Sequence, residues 1–225
     1  MIPLRDDNPS SSRPIVTWLV ILANVLVFLF MLQRSEAALH RFILAYAAIP
    51  GEITGRIGNA PVSAYPTLIT SMFLHGGPLH LLGNMLYLWI FGDNVEDLMG
   101  HVGFLIFYLL AGLAAVWTHI LLNPASDVPL VGASGAIAGV LGAYLVLFPR
   151  ARILSLVPFG IFSRIVPVPA IFFLPFWFVL QVFSGLGSLG GGGSGVAFWA
   201  HVGGFAAGVI LVRLFVRRRS FAGGR

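Results

Sequence analysis

The sequence predicts an all-α membrane protein, a bundle of six transmembrane helices. Three observations carry this prediction: the composition, the spacing of charge-free runs and the placement of arginine. The 225 residues are 58% hydrophobic and 9% charged, with a mean hydropathy of +0.93. An average soluble domain is roughly 25% charged. Thirteen basic and eight acidic residues cannot coat a water-soluble globule of this size. A soluble enzyme, a nucleic-acid binder and a disordered chain are therefore excluded. Every basic residue is Arg, scattered or at the ends of apolar runs, so the pI near 10.4 reflects topology signals and not a nucleic-acid surface. With no Cys, disulfides, thiolate metal sites and cysteine nucleophiles are ruled out.

A helical span needs about 20 apolar residues to cross about 30 Å of hydrocarbon. Pro14 to Gln33 carries no charge and lacks a small-residue cleavage site, so it reads as a retained first span. Span two is Thr67 to Phe91, span three Gly103 to Leu122, and span four Val131 to Phe148. Ile165 to Val212 is uncharged and too long for one crossing; the glycine-rich stretch Gly185 to Gly195, with its flexible run Gly190 to Gly193, divides it into spans five and six. The first loop, Arg34 to Pro66, is expected at the outer interface and partly helical. Asn123 to Leu130 is a short loop with Pro124 and Pro129. Asp93, Glu96 and Asp97 read as a turn at the inner interface, and His101 and His119 as interfacial or helix-packing residues near the ends of span three.

Six spans place both termini on one side. With that side cytoplasmic, ten Arg residues fall inside and three (Arg34, Arg41, Arg56) outside, a clear positive-inside bias. The expected organisation is a short cytoplasmic segment at 1–14, a membrane domain at 15–216 and a basic cytoplasmic tail at 217–225. Arg217, Arg218 and Arg219 read as a stop-transfer anchor.

Polar groups inside spans are costly and point to function. Span two holds His75, His80 and Asn84; span four opens with Gly132-Ala133-Ser134-Gly135; span six holds His201. Counted from the inner ends at 1.5 Å per residue, His80, Ser134 and His201 stand roughly 16, 21 and 18 Å up. Groups forming one site must share a level, and these do. On one unbroken helix, His80 and Asn84 share a face while His75 and His80 do not. Gly76 stands where a zinc-protease motif needs Glu, so no metal is expected. Gly135, Gly139 and Gly142 on span four, and Gly204 and Gly208 on span six, make small-residue stripes that allow close helix approach. Ser134 and His201 lie at the outer ends of these stripes.

A Ser hydroxyl becomes a nucleophile when a base takes its proton, and neutral His is the usual base. His80, Asn84 and the Ser134 N–H, near a helix start, can donate to an oxyanion. No intramembrane carboxylate is available to orient His201, so a dyad is implied. The elbow of soluble hydrolases does not fit: Ala136 stands at its final Gly position, and no strand is expected there.

Together these motifs resemble the bacterial rhomboid intramembrane serine proteases in their minimal six-span form, over Ile15 to Val216. Gly132-Ala133-Ser134-Gly135 is similar to the family's nucleophile motif. Ala200-His201-Val202-Gly203-Gly204 with Gly208 is similar to its general-base motif. His75, His80 and Asn84 match the polar residues of its second span. The resemblance implies a rhomboid-like bundle in a bacterial inner membrane. It implies hydrolysis of a peptide bond in or beside a substrate's transmembrane helix, at a site opening to the outer side. Ser134 would be nucleophile and His201 general base; His80, Asn84 and the Ser134 N–H would form the oxyanion site. His75, Gly132, Gly135, Gly204 and Gly208 would support it. Val168 to Phe183 and Gly185 to Gly195 would be gate and cap, although the phenylalanines of span five read most simply as lipid-facing bulk. The implied partners are transmembrane protein substrates and the lipid bilayer, with no nucleic acid and no cofactor; the oligomeric state stays open. Two departures stand out. The first loop lacks a Trp-Arg pair, and Ala138 occupies the position where some members place a Tyr against the base. An inactive rhomboid-like binding protein would lack Ser134 or His201. A proton-relay transporter would carry intramembrane carboxylates or inverted repeats.

Overall fold

The computed structural model describes residues 1–58, 64–159, 162–188 and 197–216. The run Gly190–Gly193 and the tail 217–225 lie outside the described residues, as does most of the expected cap.

The chain is mostly helical. Strand β1 (Ile2–Asp6) precedes α1 (Ile15–Leu32), α2 (Glu36–Tyr46) and α3 (Pro50–Ile53). Then come α4 (Thr67–Thr70), a 3-10 turn (Ser71–Phe73), α5 (Pro78–Met99), α6 (His101–Leu122) and α7 (Ser134–Leu147). Strands β2 (Arg152–Phe159) and β3 (Phe162–Pro169) lead into α8 (Ala170–Ser188) and α9 (Phe198–Phe215). Four of the described helices are long and apolar enough to cross a membrane: α1, α6, α8 and α9. Helix α7 is apolar but has 14 residues, about 21 Å of rise. Most of its residues are buried among its neighbours.

The second span departs from expectation. Instead of one helix from Thr67, α4 and the 3-10 turn end at Leu74, and α5 begins only at Pro78. Gly76 and Gly77 interrupt the helix, and Pro78 restarts it at its first turn, where a missing N–H costs nothing. His75 therefore lies in the connection and not on the α5 cylinder, which voids the angular argument that separated it from His80. The two rings are in fact in edge contact, with centroids 5.1 Å apart.

The acidic trio is not a turn but the last two turns of α5. Glu96 is fully buried. Its carboxylate accepts the Val16 and Thr17 N–H groups, both at 2.8 Å, and the Thr17 hydroxyl at 2.7 Å. It thus caps the start of α1, where Pro14 offers no side-chain cap. His101 also finds its partner here, with Nδ1 2.6 Å from Glu96 Oε1. Asp97 accepts from the Ser11 hydroxyl and the Ser12 N–H, both at 2.9 Å.

A three-stranded antiparallel sheet in the order β1-β2-β3 corrects the all-α expectation. β2 and β3 pair from Arg152↔Pro169 to Phe159↔Phe162, and β1 joins with Ile2↔Leu156, bulged between Pro3 and Arg5. Ile153 and Ser155 point inward and are fully buried, which sets the register. Pro167 and Pro169 are poor helix residues, so α8 begins at Ala170 and not in the Ile165 region.

The first loop is partly helical, through α2 and α3. It is tied to the segment before α7 by paired bonds between Ala48 and Leu130 (2.8 and 3.2 Å) and by Gly51 N–H to Ser126 carbonyl (2.8 Å). The core lies between α5, α6, α7 and α9, around Phe91, Phe104, Phe107, Tyr108, Leu141 and Tyr144.

Candidate active site

The site is built where α7 and α9 touch backbone to backbone. A Cβ on Gly204 would overlap the Gly135 carbonyl oxygen, and one on Gly208 would overlap that of Gly139. Only glycine permits this approach. It brings the start of α7, which is Ser134 itself, against the first turn of α9, which carries His201. Ser134 Oγ lies 2.8 Å from His201 Nε2.

The other imidazole nitrogen is engaged as well. His201 Nδ1 is 2.7 Å from Gln181 Oε1 on α8. A carbonyl oxygen accepts only, so Nδ1 carries the proton and Nε2 presents its lone pair to the Ser134 hydroxyl. Trp177, one turn earlier on α8, packs beside the ring with centroids 5.9 Å apart and planes inclined by 37°. His201 is 9% exposed. Ala138 is fully buried and offers no ring to the base. Both supports come from α8, and the sequence reading missed them because it sought a carboxylate. Gln181 was nonetheless detectable, as the one long amide side chain in the uncharged run from 165 to 212.

Gly132 shapes the approach. Its φ of +124° is a conformation that favours glycine, and its N–H donates to the Ser71 carbonyl at 2.9 Å. A Cβ there would stand 2.9 Å from His80 Nε2 and 3.6 Å from Ser134 Oγ. His80 and the hydroxyl thus border one space. His80 Nδ1 receives the Gly76 N–H at 3.4 Å, which leaves Nε2 to bear the proton on the side of Gly132 and Ser134. The Ser134 N–H, in the first turn of α7, has no acceptor within its own helix.

Asn84 is placed differently. Its Nδ2 donates to His75 Nε2 at 2.9 Å, and both residues are buried. Among the described residues no hydrogen bond joins Asn84 to Ser134 or His80. His75 Nδ1 has no partner among them. No group of three or more His or acidic side chains among the described residues could hold a metal ion. The phenylalanines of span five divide: Phe172, Phe176 and Phe183 are exposed, whereas Phe173 is buried and Phe178 packs on Phe205.

Chemically, the cluster offers a hydroxyl, an imidazole with both ring nitrogens engaged, and N–H groups bordering the same space. Residues 62–218 match the family model described as the Rhomboid domain. A stretch of 135 residues is 31% identical to the protein named Rhomboid protease GluP of Bacillus subtilis (strain 168), covering 60% of this chain and 25% of that protein. Putative rhomboid protease YdcA of the same strain is 32% identical over 133 residues, 59% of this chain and 61% of that one. Rhomboid protein 1, mitochondrial, of Saccharomyces cerevisiae (strain ATCC 204508 / S288c) is 38% identical over 100 residues, 43% and 29% respectively. The chain thus spans between a quarter and about three fifths of these relatives' own lengths.

Proposed function

The chain belongs to the rhomboid family, and from this and the contact between Ser134 and His201 we infer an intramembrane serine endopeptidase. Its substrates are membrane proteins, cut at a peptide bond in or beside a transmembrane helix. The single observation that carries the reading is the 2.8 Å approach of His201 Nε2 to Ser134 Oγ with the far side of the ring already held.

In this mechanism Nε2 takes the hydroxyl proton as Oγ bonds to the scissile carbonyl carbon. The carbonyl oxygen becomes an oxyanion, met by the Ser134 N–H and His80 Nε2–H. His75 and Asn84 support that wall; Asn84 keeps a second amide proton to turn toward the oxyanion when substrate arrives. The imidazolium then gives its proton to the departing amine, leaving an acyl ester on Ser134. Water, deprotonated by the same nitrogen, cleaves the ester and restores the hydroxyl.

The membrane arrangement follows the same reading. Helices α1, α5, α6, α7, α8 and α9 are the six spans, with short α7 shielded by its neighbours, and the Arg distribution puts both ends of the chain in the cytoplasm. The site then opens to the extracytoplasmic side of a bacterial inner membrane.

A fluorophosphonate probe tests the chemistry without a known substrate. The parent is expected to form a covalent adduct on Ser134, Ser134→Ala none, and His201→Ala an adduct at a rate lower by at least about 10³-fold. Adduct formation that survives His201→Ala at the parent rate would sink the dyad.

A further inference from the structure

We propose that Gln181 is the positioning residue of His201, fixing the tautomer in which Nε2 can accept the Ser134 proton. This rests on the reading of Ser134 and His201 as nucleophile and base, and adds the group that makes the base competent.

A neutral imidazole has two tautomers, and only the one protonated at Nδ1 leaves Nε2 free to accept. Gln181 Oε1, 2.7 Å from Nδ1, selects that form because a carbonyl oxygen has no proton to give. Its partner on the other side is the Ser134 hydroxyl at 2.8 Å, so both ring nitrogens are committed. Trp177 stands four residues before Gln181 and therefore on the same face of α8, its ring tilted against the imidazole with centroids 5.9 Å apart. Phe198 meets the ring edge-on from α9, centroids 6.5 Å apart. The titratable groups acting on His201 are His80 on α5 and His119 on α6, both imidazoles.

An amide suits this place better than a carboxylate. A buried carboxylate beside a neutral imidazole would carry an unpaired charge, a heavy penalty at membrane depth. The amide costs little in the resting state, and when the ring becomes imidazolium its Nδ1–H still donates to the same oxygen. The base is thereby oriented from α8, a helix that exposes Phe172, Phe176, Val179, Leu180 and Phe183.

The test compares the parent with Gln181→Leu and Gln181→Glu in detergent micelles. The readouts are fluorophosphonate labelling across pH, kcat and KM on a single-span reporter, and the imidazole N–H resonances of ¹⁵N-histidine protein. Gln181→Leu is expected to lose the His201 Nδ1–H resonance and to lower kcat roughly tenfold, about 1.4 kcal/mol, with KM nearly unchanged. Gln181→Glu restores an acceptor: it is expected to recover the resonance and most of the rate. Its charge favours the imidazolium, so the acid limb of its profile moves to higher pH. A folded Gln181→Leu with the parent's kcat, pH profile and Nδ1–H resonance would overturn the proposal. Should Gln181→Leu fail to fold, a Gln181→Met protein, which keeps the length but has no comparable acceptor, with the parent's kcat and Nδ1–H resonance would overturn it. Absence of Ser134-dependent labelling in the parent would instead sink the protease reading, and this inference with it.

Discussion

Ser134 borders a space that Gly132 keeps open. The positive φ at Gly132 turns the chain into α7, and its missing side chain leaves open the space bordered by His80 Nε2 and Ser134 Oγ. Gly132→Ala adds strain of about 1–3 kcal/mol at that φ and pushes a methyl into the proposed oxyanion space. It is expected to lower labelling of Ser134 at least tenfold while the protein still melts cooperatively; a labelling rate equal to the parent's would show the space is not used. At this scale the sequence was informative where chemistry and spacing coincide. Ser134 meets His201 and, across Gly132, shares a space with His80, because α7, α9 and α5 bring them together. His75 was misplaced because an unbroken helix was assumed across Gly76-Gly77-Pro78. Gln181 was overlooked because orientation of the base was equated with a carboxylate, whereas an amide oxygen stands 2.7 Å from His201 Nδ1.

Between elements, the decisive contact is α7 against α9. The Gly204 and Gly208 positions face carbonyl oxygens of α7 with no room for a methyl, so the backbones must separate if one is added. Gly208→Ala is expected to lower stability by about 1–3 kcal/mol, read as a lower thermal midpoint in detergent. Gly83, within α5, has open space at its Cβ position. Gly83→Ala is therefore expected to be neutral or stabilising by up to about 1 kcal/mol. Equal effects of the two substitutions would refute the packing account. The glycine stripes were visible in the sequence as spacing, but spacing alone does not say which carbonyl each glycine meets. The capping of α1 by Glu96 was not legible either, since donor and acceptor stand 79 and 80 residues apart.

Across the molecule, the N-terminal segment is bound to the ends of α5 and α7 remote from Ser134. Asp97 holds Ser11 and Ser12, Asp7 receives the Arg152 N–H at 2.6 Å, and the Tyr144 hydroxyl donates to Asp6. Burial pushes the Asp6 carboxyl up from its ordinary 3.8 to about 6, reinforced by nearby Asp93 and opposed by the Tyr144 bond. A carboxyl raised in the folded state contributes stability that is full below about 4 and lost as pH rises through about 6. Hydrogen exchange of Ile2–Asp6 should therefore accelerate across that window beyond the intrinsic base dependence, and Asp6→Asn should remove the excess. An excess retained in Asp6→Asn would assign it elsewhere. The overall architecture was legible as far as hydropathy reaches: apolar runs separated by charge. The sheet was not, because Arg150, Arg152 and Arg164 were read as boundary markers, while Arg152–Phe159 and Phe162–Pro169 pair through backbone groups that hydropathy does not register.

The central proposal is that Ser134 is a nucleophile activated by His201. The most direct measurement reconstitutes the protein in proteoliposomes with a single-span reporter and compares the parent with Ser134→Ala. The account predicts cleavage in or beside the reporter's membrane helix by the parent and an intact reporter with Ser134→Ala. Cleavage by Ser134→Ala at the parent's rate and position would contradict it.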